Sequence, residues 1–368
     1  MATQPLQSEI FRLDTLFRSD MLPTLRPFFD ASPDLKLLFE RRLLQIRLIV
    51  DANRIYAELL WRLSKREDPR NRSGLVEAID AGVLVLIAPK FLNNEIEKHL
   101  PRIAEKAGIA VDEASREWEL LRAKLRFYVP TSQPTSEAVV DPKDLPYKYA
   151  SDELGLPVYT RDADLREMGA PVVWACIDTA CRDHARATSV TLGFTMGSTY
   201  TVTIGAEALK EGARRIKNLF DGFRRLSPWL QLAIAGGLAA LLIHPKSRAK
   251  LAQAWSCVRD GALRAKGPAL EGFLVVMRQL AEAESAARST HQQIQSALPA
   301  AQKATAIVYA RRVCVLSPTP LTTREIARRM RNEGYVPRGR NPEAYLRRVM
   351  RQSGQFVSHS SGMWTIQN

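Results

Sequence analysis

The sequence predicts an α/β protein built around a parallel sheet, followed by a mainly helical middle region and a compact C-terminal block. Three observations carry this. Short apolar runs rich in β-branched residues alternate with helix-patterned segments between residues 46 and 175. Residues 176–300 lose that alternation, and residues 301–368 show three helix signals closed by two short strands. At 368 residues, 46% hydrophobic and 25% charged, the chain has room for two or three globular domains and is neither fibrous nor wholly disordered.

The elements follow in order. Residues 1–45 form a helical lead-in, with Ser32-Pro33-Asp34 as a start signal before Leu35, Leu37, Leu38, Phe39, Leu43 and Leu44. Ile46–Val50 reads as a buried strand stopped by Asp51-Ala52-Asn53, and residues 54–64 as a helix. Asp68–Gly74 is a polar loop. Val83–Ala88 is a strand, and Phe91–Leu100 and Asp112–Leu125 are helices. Phe127–Val129 is a strand, Thr131–Glu137 a proline-containing loop, Asp144–Leu154 a helix, and Pro157–Thr160 and Val172–Trp174 strands. Such a series gives βαβ units, whose reactive groups gather at the carboxyl ends of the strands. Alternation in the Thr- and Gly-rich stretch Thr188–Ile204 suggests a hairpin. Further helices are expected over 250–298, at 303–316, 323–333 and 342–352, then strands Phe356–Val357 and Met363–Ile366 with Trp364 buried.

Charge is partitioned. The net formal charge is +14, yet residues 1–200 carry 27 basic and 29 acidic side chains, while residues 300–368 carry 12 and 3. A near-neutral half joined to a basic half suggests two tasks on one chain, the basic one directed at a polyanion. Four cysteines rule out a disulfide scaffold, and with no signal peptide legible a cytoplasmic setting is expected. Cys176, Cys181 and His184 lack a fourth ligand in register, which argues against zinc. No phosphate-binding GxxxxGK[ST] loop and no HExxH occurs. Trp229–Ile243 lies in a stretch of sixteen residues between Pro228 and Pro245, short for a spanning helix. It is read as a core helix or hairpin, with membrane association as the alternative.

Asp51 ends the first strand, Glu95 lies on the helix after the second, Asp144 opens a later helix, and Asp162 and Asp164 follow the fourth strand. Converging carboxylates repel, so such a cluster calls for a cation, and an all-oxygen set selects Mg²⁺ or Mn²⁺. The blocks strand-Asp51-Ala-Asn53, Pro89 to Glu95-Ile96, Asp141-Pro-Lys-Asp144-Leu-Pro-Tyr and Val158-Tyr-Thr160-Arg-Asp162-Ala-Asp164-Leu165 resemble, in order and spacing, the PIN-domain nucleases over about 46–175. That resemblance implies an α/β/α three-layer sandwich with a metal-dependent endonuclease site, usually acting on RNA. It implies that Asp51, Glu95, Asp144 and Asp162 are catalytic and metal-binding, that Asp164 is a further metal ligand, and that Asn53 and Thr160 orient the carboxylates. Asp at any one of these positions could equally be a helix cap.

The C-terminal block resembles a winged helix-turn-helix domain, which implies a helix for the major groove and phosphate contacts from Arg328, Arg329, Arg340, Arg347, Arg348 and Arg351. Winged helices also serve as protein-interaction modules. The reading is therefore an endonuclease, RNA favoured as substrate, with DNA or RNA at the winged helix. Its rivals are an inactive PIN scaffold acting as a regulator and a membrane-tethered nuclease. A toxin or antiviral role, a homo-oligomer, and an inhibitory or activating protein partner are compatible with this build.

Overall fold

A computed structural model of the chain describes residues 13–31, 43–66, 68, 71–131, 141–174, 176–203, 268–300, 304–337, 341–359 and 362–366. Two compact units result. One combines Met1–Leu44 with Arg182–Gln292, and the other Gln45–Cys181 with Gln293–Asn368. The expected helix after Ser32 and the apolar run Trp229–Ile243 lie outside the described residues. Among the described residues no helix is long and apolar enough to cross a membrane.

Two short helices, α1 (Leu13–Leu16) and α2 (Leu22–Ala31), precede the sheet. The α/β region then runs β1 (Ile46–Val50), α3 (Ala52–Ser64), α4 (Gly74–Asp80), β2 (Leu84–Pro89), α5 (Phe91–Ala107), α6 (Val111–Arg122) and β3 (Arg126–Tyr128). It continues with α7 (Leu145–Leu154), β4 (Val158–Tyr159), α8 (Ala163–Glu167) and β5 (Val172–Val173). The five strands form one parallel sheet in the order β3-β2-β1-β4-β5, with Ile49 opposite both Ile87 and Val158. Leu48, Ile49, Val50, Leu84, Leu86 and Ile87 have no exposed surface, as strands covered on both faces require. Right-handed crossovers that step from β1 to β3 and then back to β4 and β5 put their helices on opposite faces. The direction reverses between β1 and β4, which makes the carboxyl ends of those two strands the switch point.

Two details of the α/β region depart from the expectations. Helix α4 was not expected; Ser73 caps it, its hydroxyl accepting from Val76 N at 3.1 Å and donating to Glu58 Oε1 at 2.6 Å. Helix α5 does not stop at Leu100 but passes through Pro101 to Ala107, because Ile103 and Ala104 beyond the proline are buried. Packing there outweighs the hydrogen bond the proline removes.

Next come α9 (Asp178–Thr203) and α10 (Pro268–Ala297). The hairpin expected within Thr188–Ile204 is overturned, since α9 runs through Thr203. Its hydroxyls bond to its own preceding turn, Ser189 Oγ to Arg186 O at 2.8 Å and Thr191 Oγ1 to Thr188 O at 3.0 Å. Its small residues admit a neighbour: a Cβ at Gly193 would lie 2.2 Å from the Phe17 ring. In this unit Leu13, Val190 and Val276 share a core cluster. His184 is buried, its Nδ1 3.1 Å from Ala287 O.

The C-terminal block comprises α11 (Ala306–Val315), β6 (Leu321–Thr322), α12 (Thr323–Asn332), α13 (Pro342–Ser353), β7 (Phe356–Ser358) and β8 (Met363–Ile366). The strands pair antiparallel in the order β6-β8-β7, and β6 is an unexpected third strand. Thr322 and Asn341 cap α12 and α13, accepting from Glu325 N at 3.2 Å and Ala344 N at 3.0 Å. Ala310, Ile326, Met330, Leu346, Met350 and Trp364 fill the core, and the Trp364 indole donates to Thr323 Oγ1 at 3.1 Å.

This block belongs to the same unit as the parallel sheet and is fastened to the carboxyl end of α7. Arg311 donates to Glu153 O at 2.8 Å, and Arg312 to Leu154 O at 2.8 Å and Gly155 O at 3.1 Å. Glu333 pairs with Arg47 at 2.6 Å and with Arg312 at 3.5 Å.

Candidate active site

The switch point holds the carboxylates. Asp51 directly follows β1 and is 3% exposed. It occupies the N-cap position of α3 without making a cap hydrogen bond, and its Oδ2 instead accepts from Thr160 Oγ1 at 2.6 Å. Thr160, fully buried after β4, accepts in turn from Asp162 N at 2.8 Å. Asp162 caps α8, accepting from Asp164 N at 3.1 Å, and its other oxygen lies 3.4 Å from Asn53 Nδ2. Asp144 stands at the start of α7, 8% exposed, and like Asp51 gives its helix no side-chain cap. Of the three aspartates at helix starts, Asp162 alone makes a well-formed side-chain cap.

Carboxylate oxygens of Asp144, Asp162 and Asp164 all lie within 4.8 Å of one another. Asp51 and Glu95 fall outside that triad but share its field. Burial, then the charges of Asp162, Asp51, Asp141 and Asp164, push the Asp144 carboxyl up to about 7. Burial raises Asp51 as well, opposed by the Thr160 hydroxyl and reinforced by Glu95 and Asp162. Among the described residues no lysine or arginine forms an ion pair with any of the five. Acids crowded in this way, short of a positive partner and supplied only with oxygen donors, fit a hard divalent cation. Asp141 is set at the rim, its side chain accepting from Lys143 N at 2.9 Å, and Asp152 is exposed and paired with Lys148.

Two groups escaped the sequence reading. Tyr147, buried one turn into α7, donates to Glu95 Oε2 at 2.7 Å and so fixes the acid that comes from the other side of the sheet. Its place three residues after Asp144, on the same helix face, was the available signal. Arg54 lies 4.4 Å over the Tyr159 ring, donates to its hydroxyl at 2.7 Å and pairs with Asp178. Nothing in the spacing of residues 54, 159 and 178 announces that trio.

In the C-terminal block Arg347, Arg348 and Arg351 are exposed on α13 and make no ion pair among the described residues. Arg347 and Arg351 line a shallow groove with Arg324, Thr322, Ser358 and Gly362. Arg328 and Arg329 are both held by Glu325, at 2.7 and 2.8 Å, and together they pull its carboxyl down to about 2. Arg340 lies outside the described residues. Compared with protein-family models, curated proteins and solved structures, the chain matches none.

Proposed function

We propose that this protein is a metal-dependent endonuclease of PIN type, with a winged-helix module that contacts nucleic acid. The observation that carries the reading is the triad Asp144, Asp162 and Asp164 at the switch point, with Asp51 and Glu95 in its field and no basic partner among the described residues. Those five would hold Mg²⁺ or Mn²⁺. When bound, the ion supplies a nucleophilic water at neutral pH and neutralises charge on the phosphate. The chain's own residues set the geometry. Thr160 ties Asp51 to the loop carrying Asp162, Asn53 braces Asp162, and Tyr147 holds Glu95. Such supporting contacts restrict the carboxylates to one arrangement and tune their affinity for a cation. RNA is favoured over DNA through the PIN resemblance. The exposed arginines of α13 would add the electrostatic grip that the near-neutral N-terminal half lacks.

The deciding assay incubates the full chain with single-stranded and duplex RNA and DNA in Mn²⁺, Mg²⁺ or EDTA. Cleavage is expected with Mn²⁺ or Mg²⁺ and none with EDTA, and Asp51→Asn should lower it at least about a hundredfold. If no nucleic acid is cut in any metal, or Asp51→Asn cuts as well as the parent, the enzyme reading fails.

A further inference from the structure

Phe91 and Trp174 are exposed aromatic side chains, at 37% and 40%. Both stand at the carboxyl edge of the parallel sheet. Phe91 opens α5 just past β2, one helical turn before Glu95 and on the same face. Trp174 immediately follows β5. In the strand order, β2 and β5 lie on either side of the β1–β4 pair whose ends carry Asp51, Thr160 and Asp162. Three strand spacings of about 4.8 Å separate them, so the two rings bracket the carboxylates at roughly 14 Å. The same edge also carries two exposed cations, Lys90 beside Phe91 on the β2 flank and Arg161 between Thr160 and Asp162 after β4, and neither has a carboxylate partner among the described residues.

We propose that Phe91 and Trp174 are stacking platforms for the bases of a single nucleic-acid strand that crosses this edge, with Lys90 and Arg161 receiving its phosphates. The inference rests on the nuclease reading for what crosses the edge, and adds which side chains position it. Every base offers a π-face, so an exposed ring grips a strand with little regard to sequence, and cations beside it track the backbone. A duplex keeps its bases stacked on one another and cannot present them to two separated rings, so single strands should be selected. An isolated apolar side chain on a surface means little. Here Phe91 and Trp174 flank one acidic cluster.

The test measures binding by fluorescence anisotropy of a fluorescein-labelled RNA of about sixteen nucleotides, single-stranded or annealed to its complement. The full chain is used in EDTA, so that binding is read without cleavage. Arg347, Arg348 and Arg351 are replaced by Ala throughout to silence α13. The single strand should bind more tightly than the duplex, and Phe91→Ala and Trp174→Ala should each weaken it about tenfold. Trp174→Phe should keep most of the affinity, whereas Trp174→Leu and Phe91→Leu, which retain apolar bulk without a ring, should not. Each ring is partly covered, so the thermal midpoints of the Ala variants should fall by no more than a few degrees, about the level of the Leu variants, and binding is compared well below them. Single-strand binding within twofold of the parent in both Ala variants, or an equal loss for the duplex, overturns the proposal. Ring-dependent binding by a chain that cuts nothing in any metal would leave the platforms standing and remove the nuclease. Metal-dependent cleavage with ring-independent binding would do the reverse.

Discussion

Asp144 concentrates the chemistry of the site in one residue. In the unfolded chain its carboxyl titrates near about 4, and in the folded protein near about 7. Between those values the folded state keeps a proton that the unfolded state has released. Stability of the metal-free protein therefore falls as pH rises through that window, and the raised Asp51 acts in the same direction. The expected loss between pH 4.5 and pH 8 is on the order of 1–3 kcal/mol in urea unfolding with EDTA present. Asp144→Asn, with nothing to ionise, should flatten most of that slope, and added Mg²⁺ should stabilise the parent at pH 8 far more than at pH 5. A parent profile that rises with pH over the same range contradicts this account. At this scale Asp51, Glu95, Asp144, Asp162 and Asp164 were legible because each is tied to a strand end or helix start visible in the sequence. Tyr147 was not singled out because a tyrosine at helical spacing reads equally well as core. The partnership of Arg54 with Tyr159 and Asp178 depends on three segments that only the folded chain brings together.

Helix α7 joins two regions of its unit. It is ten residues long, about 15 Å, with Asp144 and Tyr147 at its amino end and Arg311 and Arg312 on its last carbonyls. Cations there bond acceptors that the helix leaves open and oppose its dipole favourably. Gly155, which ends the helix at φ 58°, leaves room for α11: a Cβ there would lie 3.0 Å from Val308 Cγ1 and 3.1 Å from Arg312 Nη2. Arg312→Ala would remove charge-assisted bonds to Leu154 and Gly155 and leave the buried Glu333 to Arg47 alone. A stability loss of about 2–3 kcal/mol is expected in chemical unfolding. Because the same helix carries Asp144, the Mn²⁺ concentration for half-maximal cleavage should rise as well. Lost stability with an unchanged metal requirement would mean that α7 holds the block without governing the site. The central strands β1 and β2 were legible because a strand covered on both faces reads as a near-continuous apolar run, interrupted in β1 by Arg47 alone. The length of α9 was not: a run of Ser, Thr and Gly alternates like a strand, and only hydroxyl bonds to the preceding turn and the approach of Phe17 to Gly193 show why it is helical.

At the scale of the whole chain, the four stretches legible in composition pair off in space. The lead-in clusters with Arg182–Gln292, and the C-terminal block with Gln45–Cys181. Charge and hydropathy could not reveal this, because the second pairing is made by arginines meeting backbone carbonyls, and the carbonyls carry no signature in the sequence. The net charge of +14 is consequently no uniform coat. Within the unit that holds the carboxylates, the exposed arginines of α13 belong to a block packed on the same α7 that carries Asp144. Binding of nucleic acid should then depend on salt through a countable set of contacts. Each arginine that neutralises a phosphate releases counterions, so the affinity for a duplex probe should fall linearly on a log–log plot against salt. Replacing Arg347, Arg348 and Arg351 together by Ala should make that slope shallower by about 2–3 and weaken binding alike across sequences. Arg328 and Arg329, which share the one Glu325 carboxylate, should change the slope less per arginine when replaced. Filter binding from 50 to 300 mM KCl measures it. A slope untouched by the triple replacement would move the basic block from nucleic acid to a protein partner.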